Sequence, residues 1–138
     1  MEKFAILHQY TDIGIFVLRA AVALIFLVHG FWKIKNSPSV AKSSGMPESD
    51  WFFMLLGWIE TLAALALLSG IFTQAAAALL GLIMIGAIYF KVITWKIPFT
   101  AHDKTGWELD LIILAACVFI VFAGAGRIAL DKTIFALY

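Results

Sequence analysis

The stretch LAALALLSGIFTQAAAALLGL, residues 62–82, decides the architecture of this chain. On either side of Ser69-Gly70 it is apolar all round, and neither 63–68 nor 75–80 leaves a polar stripe for water to solvate. A surface helix of a soluble protein carries such a stripe; a helix without one is buried in a large core or in lipid. Ser69-Gly70 ends one helix and a turn at 71–74 starts the next, so the two are antiparallel neighbours. Outward from this hairpin, the same apolar character holds over 12–33, 51–71, 75–95 and 107–126. About 20 residues rising ~1.5 Å each cross a hydrocarbon layer about 30 Å thick, so all four stretches are long enough. The expected fold is all-α, a single integral membrane domain over 1–138 built as an antiparallel four-helix bundle.

Composition agrees. Hydrophobic residues make up 63% of the chain and charged residues 14%, against about 45–50% and about 25% in ordinary globular proteins. A net charge of +1 offers nothing to nucleic acid, and membrane lipid is the first partner implied. The first apolar run continues to Trp32 and carries Arg19 inside it. It lacks the short core and small-residue cleavage site of a secretory signal and reads as a retained helix, which places the chain in the cell (inner or plasma) membrane. Cys117 stands alone in the fourth span, so the chain holds no internal disulfide, CxxC redox pair or cysteine zinc site, and Cys117 reads as a packing residue.

Residues 1–11 read as an interfacial segment. The stretch 34–50, with its Ser-Pro and Lys-Ser-Ser-Gly, reads as an irregular loop in which Ser49 or Asp50 caps the second helix. Trp32, Trp51, Trp95 and Trp107 all fall at one membrane face, face B, as an aromatic belt does. Lys33, Lys35, Lys42, Lys91, Lys96 and Lys104 gather there too, against Lys3, Arg127 and Lys132 on face A. By the positive-inside rule, face B is expected in the cytoplasm and both termini outside.

Ionisable residues within the spans carry the functional argument, because charge at a helix centre costs at least ~2.5–3.5 kcal/mol and normally finds a partner. Arg19 on the first helix and Glu60 on the second are expected to form a buried pair, either a structural lock or part of a proton or quinone site. Toward face B, His29 and Lys33 share a side of the first helix, Lys91 ends the third, and Glu108 and Asp110 begin the fourth. His29 and Glu108 are too short to reach water easily from an apolar face. Imidazole and carboxylate also suit metals, but no HxxxH or ExxH spacing exists, and no metal is expected.

These residues resemble a known family. Leu18-Arg19, His29-Gly30-Phe31-Trp32-Lys33, and Gly57 with Glu60 look like the first two helices of DoxX-family membrane proteins. Gly106-Trp107-Glu108-Leu109-Asp110-Leu111, Gly124-Ala125-Gly126-Arg127 and Leu130-Asp131 are similar to that family's fourth helix and C-terminal signature. The resemblance implies four transmembrane helices and an association with oxidoreductases, relatives including the membrane subunit of an archaeal thiosulfate:quinone oxidoreductase. It implies that His29, Lys33, Glu60, Glu108, Arg127 and Asp131 stand at the family's recurring polar positions. This chain departs from the pattern at Ala125 and Ala129, where Pro and Ser are common. It also has Tyr89-Phe90-Lys91 where a histidine is frequent.

Two classes of function stay open on the sequence. In the first, the chain is a quinone-interacting membrane subunit of an oxidoreductase, with assembly as a homo-oligomer left open, whose electron donor is a soluble redox partner. His29, Lys33, Glu60 and Glu108 would then be the catalytic groups, and Arg19, Trp32 and Trp107 would bind the quinone. Histidine can relay protons at neutral pH. In the second, the bundle is a non-enzymatic scaffold or a small transporter, with the polar residues structural.

Overall fold

The computed structural model describes residues 6–131. Four α-helices carry it: α1 (Thr11–Ser43), α2 (Asp50–Ser69), α3 (Thr73–Tyr89) and α4 (Trp107–Ala123). Short 3₁₀ turns, Ile6–Tyr10 and Pro47–Ser49, precede α1 and α2, a π-helical turn at Phe90–Thr94 extends α3, and the described residues contain no strand. Three helical stretches, His8–Ser43, Pro47–Ser69 and Thr73–Thr94, are long and apolar enough to cross a membrane. At 17 residues α4 is shorter and meets the lower limit of about 17–25 residues for a span. Outward faces are apolar, with Leu24, Val28, Leu62, Leu82, Ile112 and Phe122 all exposed. The fold is the all-α membrane bundle that the sequence implies.

Small residues set the packing. Ala23, Ala63, Ala64, Ala77 and Cys117 lie in one core, and Cys117 faces Gly81, on which a Cβ would sit 3.5 Å from the Cys117 Cβ. The helices pair into two hairpins, α1 with α2 and α3 with α4, which touch each other less intimately. Gly30 and Gly57 let the first pair close: a Cβ on either would lie 2.8 Å from the other's carbonyl oxygen. That approach fixes the register of α1 against α2.

The stretch expected to be an irregular loop is helical as far as Ser43. Only Asn36 leaves helical geometry (φ −124°, ψ 26°), and its Nδ2 donates to the Trp32 carbonyl at 3.0 Å. Pro38 then falls in the first turn after the kink, where a missing N–H leaves no hydrogen bond unmade. The piece beyond the kink packs Val40 and Ala41 against Phe53 and Met46. It forms a cap over the face-B end.

Face A is closed by the chain after α4. Gly70 ends α2 in the left-handed region (φ 79°), and a Cβ there would also lie 2.7 Å from the Ala129 Cα, so glycine is required twice over. Asp12 Oδ1 accepts the Arg127 N–H at 2.8 Å, and Asp12 Oδ2 pairs with Arg127 Nε at 3.4 Å. Asp131 Oδ1 accepts the Phe72 N–H at 3.0 Å, one of the donors that the start of α3 leaves unpaired. Asp131→Ala is therefore expected to cost about 1–2 kcal/mol, as loss of a helix cap does. Asp131→Asn keeps an acceptor and should cost little. Thermal unfolding in detergent checks both. Lys3 and Lys132 of the face-A charge count lie outside the described residues.

Candidate binding cavity

The inward face of α1 carries Arg19, Phe26 and Gly30, with Lys33 one turn on, and that of α2 carries Phe53, Gly57, Glu60 and Leu67. With Gly30 against Gly57, antiparallel register sets Arg19 opposite Leu67 and Leu68, about 12 Å along the axis from Glu60. Side chains lean toward the N-terminus of their own helix. Arg19 therefore leans toward face A, away from Glu60, while Lys33 and Glu60 lean toward each other. The expected Arg19–Glu60 pair is not formed: Lys33 Nζ donates to Glu60 Oε1 instead.

Arg19 has a different set of partners. It is 0% exposed. Its Nε donates to the Leu67 carbonyl at 3.0 Å and its Nη2 to Leu68 at 3.1 Å. Its Nη1 donates to the Ala125 and Ile128 carbonyls, both at 2.7 Å. Leu67 and Leu68 are among the last carbonyls of α2, which no intrahelical N–H can reach. One guanidinium thus ties α1 to the end of α2 and to the chain after α4. Arg19, expected from the sequence to bind a cofactor, lies toward face A and does not line the cavity that lies between the hairpins.

Between the hairpins, in the face-B half, lies a cavity of about 430 Å³ lined from all four helices. Each hairpin brings one lysine–carboxylate pair to it: Lys33–Glu60 from the first, and Lys91–Asp110 (Nζ–Oδ2 2.7 Å) from the second. Lys91 Nζ also lies 3.4 Å from the Gly106 carbonyl oxygen as its donor. His29 adds an imidazole, and Phe26, Phe53, Phe90 and Trp95 add aromatic walls. Val40, Ser44 and Met46 from the cap also line it, and Trp95 Nε1 donates to the Ser44 carbonyl at 3.3 Å. Lys91 and Trp95 sit in and just after the π-helical turn, in which the Trp95 N–H reaches back to the Phe90 carbonyl at 2.9 Å. Such turns gather at functional sites because they re-aim side chains.

The carboxylates are incompletely satisfied. Glu60 Oε2 is buried with no hydrogen-bond partner, and Asp110 Oδ2, although in its ion pair, has no aligned donor either. A buried acceptor without a donor costs about 1–3 kcal/mol, more when charged.

Of the residues singled out by sequence, the cavity collects His29, Lys33, Glu60, Lys91, Trp95 and Asp110, whereas Arg19, Trp32, Trp107 and Glu108 do not line it. Glu108 does not join His29 and Lys33; it accepts a hydrogen bond from Thr100 Oγ1. Two residues along a helix turn a side chain by about 200°, so Glu108 and Asp110 cannot both face inward. Trp32 is exposed, and Trp107 packs edge-on against Phe99, ring centroids 4.6 Å apart; neither lines the cavity. Among the described residues, no three His, Cys, Asp or Glu side chains lie close enough to hold a metal. Sequence reasoning missed the Lys91–Asp110 pair, though a signal existed. Asp110 heads the buried stripe Ile113, Cys117, Ile120, and Lys91 continues the stripe Leu80, Met84, Ala87.

The pairing is checked by two double-mutant cycles on stability. Lys33→Met with Glu60→Gln should show a coupling above about 1 kcal/mol, whereas Arg19→Gln with Glu60→Gln should add within about 0.5 kcal/mol.

The geometry defines a class: a four-helix membrane bundle with a charged and aromatic cavity at one end. The chain belongs to the DoxX family, whose model matches residues 14–102, from α1 through α3 and the turn that follows. An uncharacterized protein of Haemophilus influenzae is 30% identical over 129 residues, covering 94% of this chain and 96% of that protein. An uncharacterized membrane protein of Mycobacterium tuberculosis is 28% identical over 138 residues, covering 92% of this chain and 85% of that protein. No solved structure matches the chain.

Proposed function

We propose that this DoxX-family membrane protein is a quinone-binding subunit of an oxidoreductase assembly, with the cavity between the hairpins as the ring site. The observation that supports this reading best is Glu60. It is a buried carboxylate at the wall of a cavity lined by aromatic rings, and it holds Lys33, a hydrogen-bond donor, in place there. A quinone ring asks for a flat apolar slot with polar groups at its two oxygen atoms. Phe26, Phe53, Phe90 and Trp95 offer the slot, and Lys33, Lys91 and His29 offer donors. The cavity volume falls in the range of about 300–1,000 Å³ usual for small-molecule sites. A bound quinone would supply two-electron redox chemistry that no side chain here possesses.

The chain's own contribution is binding, orientation and charge. Lys33 and Lys91 each pair with a buried carboxylate, and removing either lysine would leave that carboxylate uncompensated. His29 lies where a proton could pass between the cavity and face B. The electron donor is then a soluble partner docked at face B, and membrane lipid surrounds the bundle.

Lipid extraction of protein purified from its native membranes tests the reading. We expect a retained quinone, and a melting temperature that rises with added decylubiquinone in the wild type but not in Glu60→Gln. The absence of both a retained quinone and a shift would overturn the proposal and leave the non-enzymatic scaffold in its place.

A further inference from the structure

We infer that the ligand's hydrocarbon chain leaves the cavity through the seam between α2 and α3 at Gly86, so that the site takes a long-chain quinone directly from lipid. The inference rests on the quinone reading above and adds the class of quinone and the residue that makes room for it.

Helical phase assigns the walls of this seam. Gly57 and Thr61 face Gly30 of α1, which turns the flank of α2 carrying Phe52, Leu56 and Ala63 toward α3. Gly81 faces Cys117 and Leu114 of α4, which turns the flank of α3 carrying Ala76, Ile83 and Phe90 toward α2. In the face-A half the seam is shut: Ala63 and Ala76 are each 6% exposed, and Leu67 and Leu80 beside them are fully buried. In the face-B half it is not. Phe52 is 41% exposed and Leu56, Ile83, Gly86 and Phe90 are only partly buried, although all five line the cavity. Gly86 has no side chain to fill the space, and a Cβ there would meet nothing within 4 Å. The cavity thus continues between α2 and α3 to the apolar outer surface.

The two ends of this passage differ in chemistry. Inside stand the Lys33–Glu60 and Lys91–Asp110 pairs, whereas the five residues of the seam bring no polar side-chain atom. On the opposite seam, between α1 and α4, the cavity is lined by Ile25, His29 and Leu109, and the imidazole interrupts the apolar path. A long-chain quinone has the matching polarity, a ring with two polar oxygen atoms and a hydrocarbon chain. Moving that chain from lipid into an apolar groove gains little affinity, because lipid tails are as apolar as leucine. What the gap supplies is room: a ring seated between the hairpins needs an exit for its chain. The ligand then exchanges with the bilayer without crossing water. A large side chain at position 86 would lean toward the N-terminus of α3, over Ile83, and shut the gap.

Calorimetric titration in detergent compares decylubiquinone with its chainless parent, dimethoxy-methyl-benzoquinone, on the wild type and on Gly86→Trp. Comparing the ratio of the two affinities between the two proteins cancels the chain's partition into detergent. The expected result is a ratio shifted against the chain-bearing ligand by about tenfold or more in Gly86→Trp, the size of an overpacking penalty. An unchanged ratio, including an equal loss of both ligands, would overturn this inference and leave the quinone site itself standing. Binding of neither ligand to the wild type would overturn both. A second measurement uses the wild type alone and so does not depend on the variant folding: decylubiquinone carrying a diazirine at the start of its chain is photolysed while bound. Label within 52–56 and 83–90 is expected, where α2 and α3 line the seam. Label within 25–29 or 109–113 would put the chain in the opposite seam and overturn the inference.

Discussion

Arg19→Gln is expected to cost the bundle about 3–5 kcal/mol, the range for breaking a buried charged network. The guanidinium serves four carbonyls at once, on Leu67, Leu68, Ala125 and Ile128. A glutamine amide reaches two at most, so the others stay buried and bare. Arg19→Lys retains the charge but not the planar fork and should fall between the two. Thermal unfolding in detergent measures the loss, and limited proteolysis should show earlier cleavage near 124–131, where two of the four anchors lie. A loss below about 1 kcal/mol would mean that Arg19 does not hold face A together.

Gly57→Val should be comparably severe by a different route. The new Cβ would lie 2.8 Å from the Gly30 carbonyl oxygen and 3.0 Å from both the Lys33 Cβ and the Ile34 Cγ1. The carbonyl belongs to a helix backbone and cannot swing aside, so α1 and α2 must part. Overpacking usually costs about 1–3 kcal/mol. Here the parting also pulls Lys33 from Glu60, so we expect the upper end or beyond. Quinone binding should fall with it. Gly14→Ala is the control, because a Cβ there meets nothing within 4 Å. That change should be neutral or should stabilise α1 by up to about 1 kcal/mol. Equal effects at the two positions would contradict the close helix approach.

The fold was legible because lipid asks for one thing, sustained apolarity, and residues 62–82 supply it on both sides of a turn. The cap at 37–43 was not. Ser-Pro and Ser-Ser-Gly are strong breaking signals, whereas Val40 and Ala41 become apolar anchors only once Phe53 is beneath them. The candidate site was half legible. His29, Lys33 and Glu60 stood out as ionisable groups inside apolar helices, and they do line one cavity. Their pairing was not readable from depth alone. Arg19 and Lys33 both lie on the α1 stripe, and the choice between them turns on the Gly30–Gly57 register and on which way side chains lean. Glu108 drew attention over Asp110 as too short to reach water, a reason that holds equally for aspartate, and helical phase favours Asp110. The role of Arg19 depends on carbonyls at 67, 68, 125 and 128, and backbone acceptors leave no trace in side-chain patterns.

The central claim is that a quinone ring occupies the cavity between the hairpins. Photolabelling in native membranes with an azido-substituted quinone tests it most directly, with the modified peptides mapped by mass spectrometry. We expect label within 53–60 and 84–95, where both hairpins line the cavity, and its loss when decylubiquinone is added in excess. Label confined to lipid-facing positions such as Phe122, 85% exposed, or label that excess decylubiquinone does not displace, would contradict the claim.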